Sequence, residues 1–193
     1  MLAGNLEYVM ASLPNLTFSN SEAIQHEVTS LFKKYALLTD APTHLVDLLH
    51  EEAEKYLSEK QCRDFKQIQL NAIHQSCFQN HKNKVVSEFS IFINQLKQEL
   101  KTFRIARKSD EAIGKNSYKL IGDLPNNPLD AELQLLKLQW QKLDMLSVGH
   151  YANISALILY KLKLQVLLRW WSFNESVGFE AFQQTLKTEV YGR

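Results

Sequence analysis

The stretch from Asn153 to Trp171, NISALILYKLKLQVLLRWW, is the most apolar part of the chain and holds two of its three tryptophans. A helix that is apolar around most of its circumference has to be covered by other helices or by lipid. The length approaches what a bilayer requires. Lys161, Lys163 and Arg169 lie inside it, however, and each would cost about 2.5–3.5 kcal/mol near a bilayer centre. The segment therefore reads as the buried central helix of a soluble all-helical protein with no direct membrane span. Its polar positions form a line, Lys161, Gln165 and Arg169, spaced by four. Long polar side chains on such a helix must reach water, meet carboxylates or face a partner.

What surrounds that helix is also helical by pattern. Six glycines and four prolines in 193 residues leave little punctuation for a many-stranded sheet. Residues 5 to 18 are ambiguous: Tyr8-Val9-Met10 fits a short strand or an extended arm, and Pro14-Asn15 a turn. Ser19-Asn20-Ser21-Glu22 matches a capping box, with the first serine as cap and the glutamate closing it. Ile24, Val28, Leu31, Phe32 and Tyr35 then predict a helix over 20–36. Pro42 restarts a helix whose stripe runs from Leu45 through Leu49 and Ala53 to Leu57, opposite Glu51, Glu52 and Glu54. Segment 61–80 is more polar, with a thin apolar edge at Cys62, Phe65, Ile68, Ala72 and Ile73, and Asn80 to Lys84 is a break or a weak turn. From Val85, the residues Phe89, Phe92, Ile93, Leu96, Leu100 and Phe103 give the cleanest amphipathic helix, closed by Arg104, Arg107 and Lys108 at the negative end of its dipole.

Residues 109–128 form the one long polar connection, of a length often functional or mobile. Asn127-Pro128 caps and opens the next helix, where Leu129, Leu133, Leu136, Trp140 and Leu143 run in heptad spacing. Gly149-His150-Tyr151 breaks the chain before Asn153, which caps the apolar helix, and Phe179, Phe182, Leu186 and Val190 predict a last amphipathic helix. The expected architecture is an elongated bundle of about six to seven helices around 153–171, in one or two sub-bundles. The boundaries are an N-terminal helical region 1–108, a linker 109–128 and a C-terminal region 129–193 packing on the first, or one domain overall.

Charge and cysteine usage narrow the function. Basic residues (22) nearly match acidic ones (21), for a net charge of +1, so nothing drives the whole chain toward nucleic acid or an anionic membrane. Arg104, Arg107 and Lys108, with Lys115 and Lys119, are the only basic concentration, and capping a helix end accounts for the first three without nucleic acid. Cys62 and Cys77 are too few for a disulfide framework; on one shared helix they would stand about 22 Å apart. A reducing, cytoplasmic setting follows. The first residues lack the basic region of a signal peptide, so the three Asn-x-Ser/Thr matches read as chance.

Two clusters have metal-ligand residue types. His74, Cys77 and His81 would share one side of a continuous helix, but the histidines stand about 10.5 Å apart along its axis, too far to hold one ion. Asp47, His50, Glu51 and Glu54 mimic half of a di-iron site, without the second Glu-x-x-His and further glutamates that such a bundle needs. Surface histidines flanking a thiol and a solvated acidic face are the simpler readings. No glycine-rich phosphate loop, nucleophile elbow or His-Glu-x-x-His occurs. No catalytic residue, cofactor or metal is assigned.

Tyr8-Val9-Met10-Ala11-Ser12-Leu13-Pro14-Asn15-Leu16, together with HYANISALILYKLKLQVLLRWWSFNESVGFEAF at 150–182, resembles a bacterial family of proteins encoded with V-type ATPases and thought to stand in for the C/d-type component of those enzymes. The matching positions are Ile158 to Gln165, Arg169-Trp170, Gly178 and Phe182, with Asn127 to Glu132 like the family's approach to its penultimate helix. Trp171 and the polar segment 61–84 have no place in that pattern. The resemblance implies a non-catalytic structural part on the cytoplasmic face that couples the rotor stalk to the membrane ring, peripheral to the membrane through the complex. Its partners would be proteins of the stalk and the ring, and the residues expected to meet a protein partner are Lys161, Gln165, Arg169, Arg104, Arg107 and Lys108. The alternatives are a free-standing cytoplasmic helical adaptor or regulator using 109–128 and the neighbouring basic helix end, and a metal-dependent helical enzyme built on His50 or His74, His81 and carboxylates.

Overall fold

The computed structural model describes residues 6–35, 45–109 and 118–173, and every regular element among them is an α-helix. In chain order these are α1 (Leu6–Ser12), α2 (Glu22–Tyr35), α3 (Leu45–Glu54), α4 (Glu59–Gln67), α5 (Ser76–Gln79), α6 (Lys84–Ser109), α7 (Pro128–Ser147) and α8 (Ile154–Trp171). The all-helical expectation holds. The Pro42 start, Lys115 and the Phe179–Val190 helix fall outside the described residues.

Local chemistry sets most of the helix ends, not always where the spacing predicted. The first segment is the helix α1, not a strand or extended arm, and it buries Val9. Helix α2 is capped by Ser21, whose Oγ accepts the Ile24 amide at 3.4 Å. The Ser19 hydroxyl oxygen accepts the Ser21 amide instead, and Gln25 reaches back to Asn20. The capping box expected at Ser19 and Glu22 is replaced by a simple serine cap, because the chain takes up helical geometry only from Glu22 and the third helical residue, Ile24, has no polar side chain to return the bond. A full capping box does occur at Ser58 and Gln61, opening α4. Segment 61–80 is not one helix: α4 ends at an extended Ile68, turns follow, and α5 is a single turn. Cys62 and Cys77 thus sit on separate helices, both free.

Asn83 opens α6 by accepting the Val85 amide at 3.0 Å, and its amide group bridges to Ser155 Oγ at 3.0 Å. Asn127 and Asn153 cap α7 and α8 as expected, Pro128 stands in the first turn of α7, and Gly149 adopts the positive φ of 83° that ends the α7 turn. Helices α7 and α8 form an antiparallel hairpin. Asp144 meets Lys163 at 2.6 Å near the loop, and Glu132 meets Arg169 at 2.7 Å at the far end.

Helix α8 packs against α1, α3, α6 and α7. One contiguous buried cluster takes in Val9 and Phe32 from the N-terminal elements, Phe65 and Phe89 from the middle, and Trp140, Leu157 and Leu164 from the hairpin. At about 25 cal/mol per Å² of apolar surface, each fully buried leucine of α8 contributes roughly 2 kcal/mol. No helix among the described residues is long and apolar enough to cross a membrane.

The described part of the 109–128 connection, from Tyr118 on, is packed. Glu99 of α6 accepts the Leu120 and Ile121 amides at 2.9 and 3.3 Å, Ile121 is buried, and Tyr118 stands edge-on to Phe103. Polar composition hid this, because the carboxylate that holds the segment lies on another element.

Candidate protein-binding groove

The polar line of α8 turns toward the irregular chain after α4. Lys161 has 0% exposure; its Nζ donates to the Phe65 carbonyl, lies 3.5 Å from the Lys66 carbonyl and stands 4.6 Å above the Phe65 ring. Those carbonyls belong to the last turn of α4, where a helix lacks its own donors, so Lys161 caps α4 from another helix. One turn on, Gln165 Oε1 accepts the Leu70 amide at 2.8 Å and its Nε2 donates to Gln69 Oε1. From α6, buried Ser90 gives its hydroxyl to the Ile73 carbonyl. Residues 65–73 are thus held by three side chains from distant helices.

Burial pushes the Lys161 ammonium down from 10.5 to about 7. Its neighbour His50, edge-on to Phe65, is pushed down from 6.5 to about 4, first by its own burial and then by the Lys161 charge; Asp47 opposes this. An amine of that basicity is a competent nucleophile, but this one is enclosed and held by backbone carbonyls. Its contacts are those of a cap on the end of α4.

Gln165 and Arg169 also face outward along one edge. With Gln69, Leu70, Ile93, Leu96, Lys97, Leu100, Glu132 and Leu135 they line a groove of about 640 Å³ between α6, α7, α8 and the 69–71 turn. Lys97 and Leu100 continue it into a second depression of about 520 Å³ with Lys101, Arg104, Ile105 and Lys108. Of the six residues singled out for partner contact, Gln165, Arg169, Arg104 and Lys108 therefore lie along one surface. Lys161 lies beneath it, and Arg107 points to the 118–127 segment, where it donates to Asn126 at 3.0 Å. Lys97 and Lys101 belong to the same surface without having stood out in the sequence, although Lys97, Lys101, Arg104 and Lys108 recur at four, three and four, a legible helical stripe.

The metal-ligand readings find no such convergence. His81 accepts the Asn83 amide through Nδ1, Cys77 is exposed, and Glu54 pairs with Lys66. No group of three or more potential ligands is assembled among the described residues. The two stretches that carry the family resemblance do meet: Tyr160 Oη donates to the Pro14 carbonyl at 2.9 Å. Just past the first stretch, Trp171 Nε1 donates to the Ser19 carbonyl at 2.9 Å, and Phe18 lies 4.4 Å from Trp170. No family model, curated protein or solved structure matches the chain.

Proposed function

We propose that this protein is a non-catalytic coupling subunit of the kind that links the rotor stalk to the membrane ring of a V-type ATPase, held at the cytoplasmic face through that complex. The supporting observation is that the segments carrying the resemblance, far apart in sequence, are joined by the hydrogen bond from Tyr160 to the Pro14 carbonyl. A part that transmits torque needs rigidity and contact area, not a reactive group. Helices packed on a central apolar one supply rigidity, and lasting contact requires burial of roughly 1,600 Å². The test is affinity purification of the tagged full chain, at native level, from gently solubilised cells. Proteins of the stalk and the ring should co-elute; a chain that elutes without them removes the proposal.

A free-standing helical adaptor is the alternative, and the groove along α6 favours it, since a rotor complex is not needed to fill such a surface. In that case charge reversal at the exposed Lys101 and Lys108 of α6 should abolish partner capture while leaving helicity intact.

A further inference from the structure

The turn of the α7–α8 hairpin carries three large apolar side chains that the described elements leave uncovered. Met145 in the last turn of α7, Val148 at its C-cap and Tyr151 in the loop are 70%, 80% and 79% exposed. Residues 145–160 hold no Asp, Glu, Lys or Arg, and Asp144, just before them, is taken up by Lys163. Bases stand around this knob. The hydrogen bond from Asn83 to Ser155 fixes the exposed Lys82 and Lys84 beside the start of α8, so α6 opens at the same end of the molecule. Lys142, three residues before Met145, shares its face of α7. None of these three lysines forms an ion pair among the described residues. The positive dipole ends of α6 and α8 add to them, and Glu88 sits a turn farther along α6.

We propose that this tip docks on an anionic lipid surface, with Met145, Val148 and Tyr151 entering the boundary between headgroups and acyl chains and Lys82, Lys84 and Lys142 meeting lipid phosphates. Two features select a bilayer over a protein. The three side chains expose on the order of 400 Å², against the roughly 800 Å² that each partner gives to a stable protein interface. They also project from a turn, while the two large depressions lie farther along α6. A lipid interface needs no matching shape: it takes in a convex apolar tip, holds a tyrosine at headgroup level and draws lysines to its phosphates. The tip enters one leaflet only, in keeping with the lack of a spanning helix among the described residues. The inference stands apart from the rotary reading, because it requires no other protein.

The test is flotation of the purified full chain with vesicles of phosphatidylcholine and phosphatidylglycerol in equal parts, at physiological salt. No other protein is present, so the outcome is separate from that of the co-purification above. The chain should rise with these vesicles and stay behind with phosphatidylcholine alone. M145S/V148S/Y151S should weaken binding at least about tenfold, and K82Q/K84Q at least about threefold. K60Q/K119Q, which removes the same charge on α4 and before α7, should bind as the parent does. All these positions are exposed, and equal thermal melting of the variants keeps folding out of the comparison. The proposal is overturned if the parent chain does not float with the anionic vesicles, or if M145S/V148S/Y151S floats as well as the parent. It is equally overturned if phosphatidylcholine alone binds the chain as tightly, or if K60Q/K119Q loses as much as K82Q/K84Q. A parent chain that stays off vesicles and dimerises, while M145S/V148S/Y151S is monomeric, would assign the tip to a second copy instead.

Discussion

Lys161 caps the C-terminal turn of α4 by donating to the carbonyl of Phe65, 96 residues earlier in the chain, while its ammonium group lies over the ring of the same residue. A cation at that end of a helix complements the dipole and satisfies carbonyls that would otherwise be buried without donors. The contact also explains why α8 tolerates a charge at its most apolar point. The carbonyls and the aromatic face replace part of the lost hydration, and the remaining deficit appears as a lowered pKa.

That deficit gives stability a definite pH dependence. The unfolded chain holds the Lys161 proton up to 10.5 and the folded chain only to about 7. Between these values the unfolded state binds more protons, so stability rises with pH by up to about 1.4 kcal/mol per unit. Lys161→Met keeps the length of the side chain and removes the titration. Urea midpoints measured between pH of about 7 and 9 should climb in the parent and stay flatter in the variant. Parallel slopes would mean that Lys161 is charged in the fold at no cost.

His50 acts in the acid range with the same sign. Its folded value of about 4 lies below the unfolded 6.5, so protonation favours the unfolded state and stability is lost as pH falls between those values. Its Nε2 is buried and meets no hydrogen-bond partner among the described residues. His50→Leu should therefore be close to neutral at pH 7 and should reduce the acid loss, by an amount bounded at about 3 kcal/mol. Thermal unfolding of both proteins across that interval checks it; an unchanged acid slope would place the sensitivity elsewhere.

The sequence is legible where periodicity and local chemistry agree, and opaque where a distant side chain decides. Phe89, Ile93 and Leu96 announced α6, and Asn127-Pro128 and Asn153 announced the starts of α7 and α8, because caps and apolar spacing act within a few residues. The Ser58–Gln61 capping box obeys the same local rule, yet it was not singled out from the sequence. The end of α4 was not legible: no glycine or proline stands at 67–73, and the turns there are held by Lys161, Gln165 and Ser90. Ile121 was hidden for the same reason, its amide being taken by Glu99. The polar line on α8 was visible as three side chains in search of partners, but its division into a buried cap, a half-buried clamp and an exposed ion pair required the fold.

Trp171, which the family pattern does not include, joins Tyr160 in fastening the segment after α1 to α8. Tyr160→Phe leaves the Pro14 carbonyl without its donor and should destabilise by about 1–3 kcal/mol. Burial already raises the Tyr160 hydroxyl well above the usual phenol range, so no titration near neutral pH complicates the measurement. Trp171→Phe should cost a similar amount through Ser19. The two partners lie close in sequence, so the double variant is expected to fall short of additivity. Fully additive losses in chemical denaturation would show that the two contacts act independently.

Gln165 should matter more to the fold than Arg169, although both line the groove. Gln165 holds the Leu70 amide and the Gln69 side chain together, and in Gln165→Leu the Leu70 amide is left half-buried with no acceptor, a loss of about 1–3 kcal/mol. Arg169 is 56% exposed and its bond to Glu132 is open to solvent, so Arg169→Ala should change stability by no more than about 1 kcal/mol. Hydrogen exchange separates the two roles at single residues. In Gln165→Leu the Leu70 amide should lose protection while amides inside α8 keep theirs, because the clamp acts on the turn and not on the helix. Arg169→Ala should leave Leu70 protected. If Leu70 exchanges equally slowly in the parent and in Gln165→Leu, packing of Ile68 and Ile73 alone holds the turn, and the wall of the groove does not depend on α8.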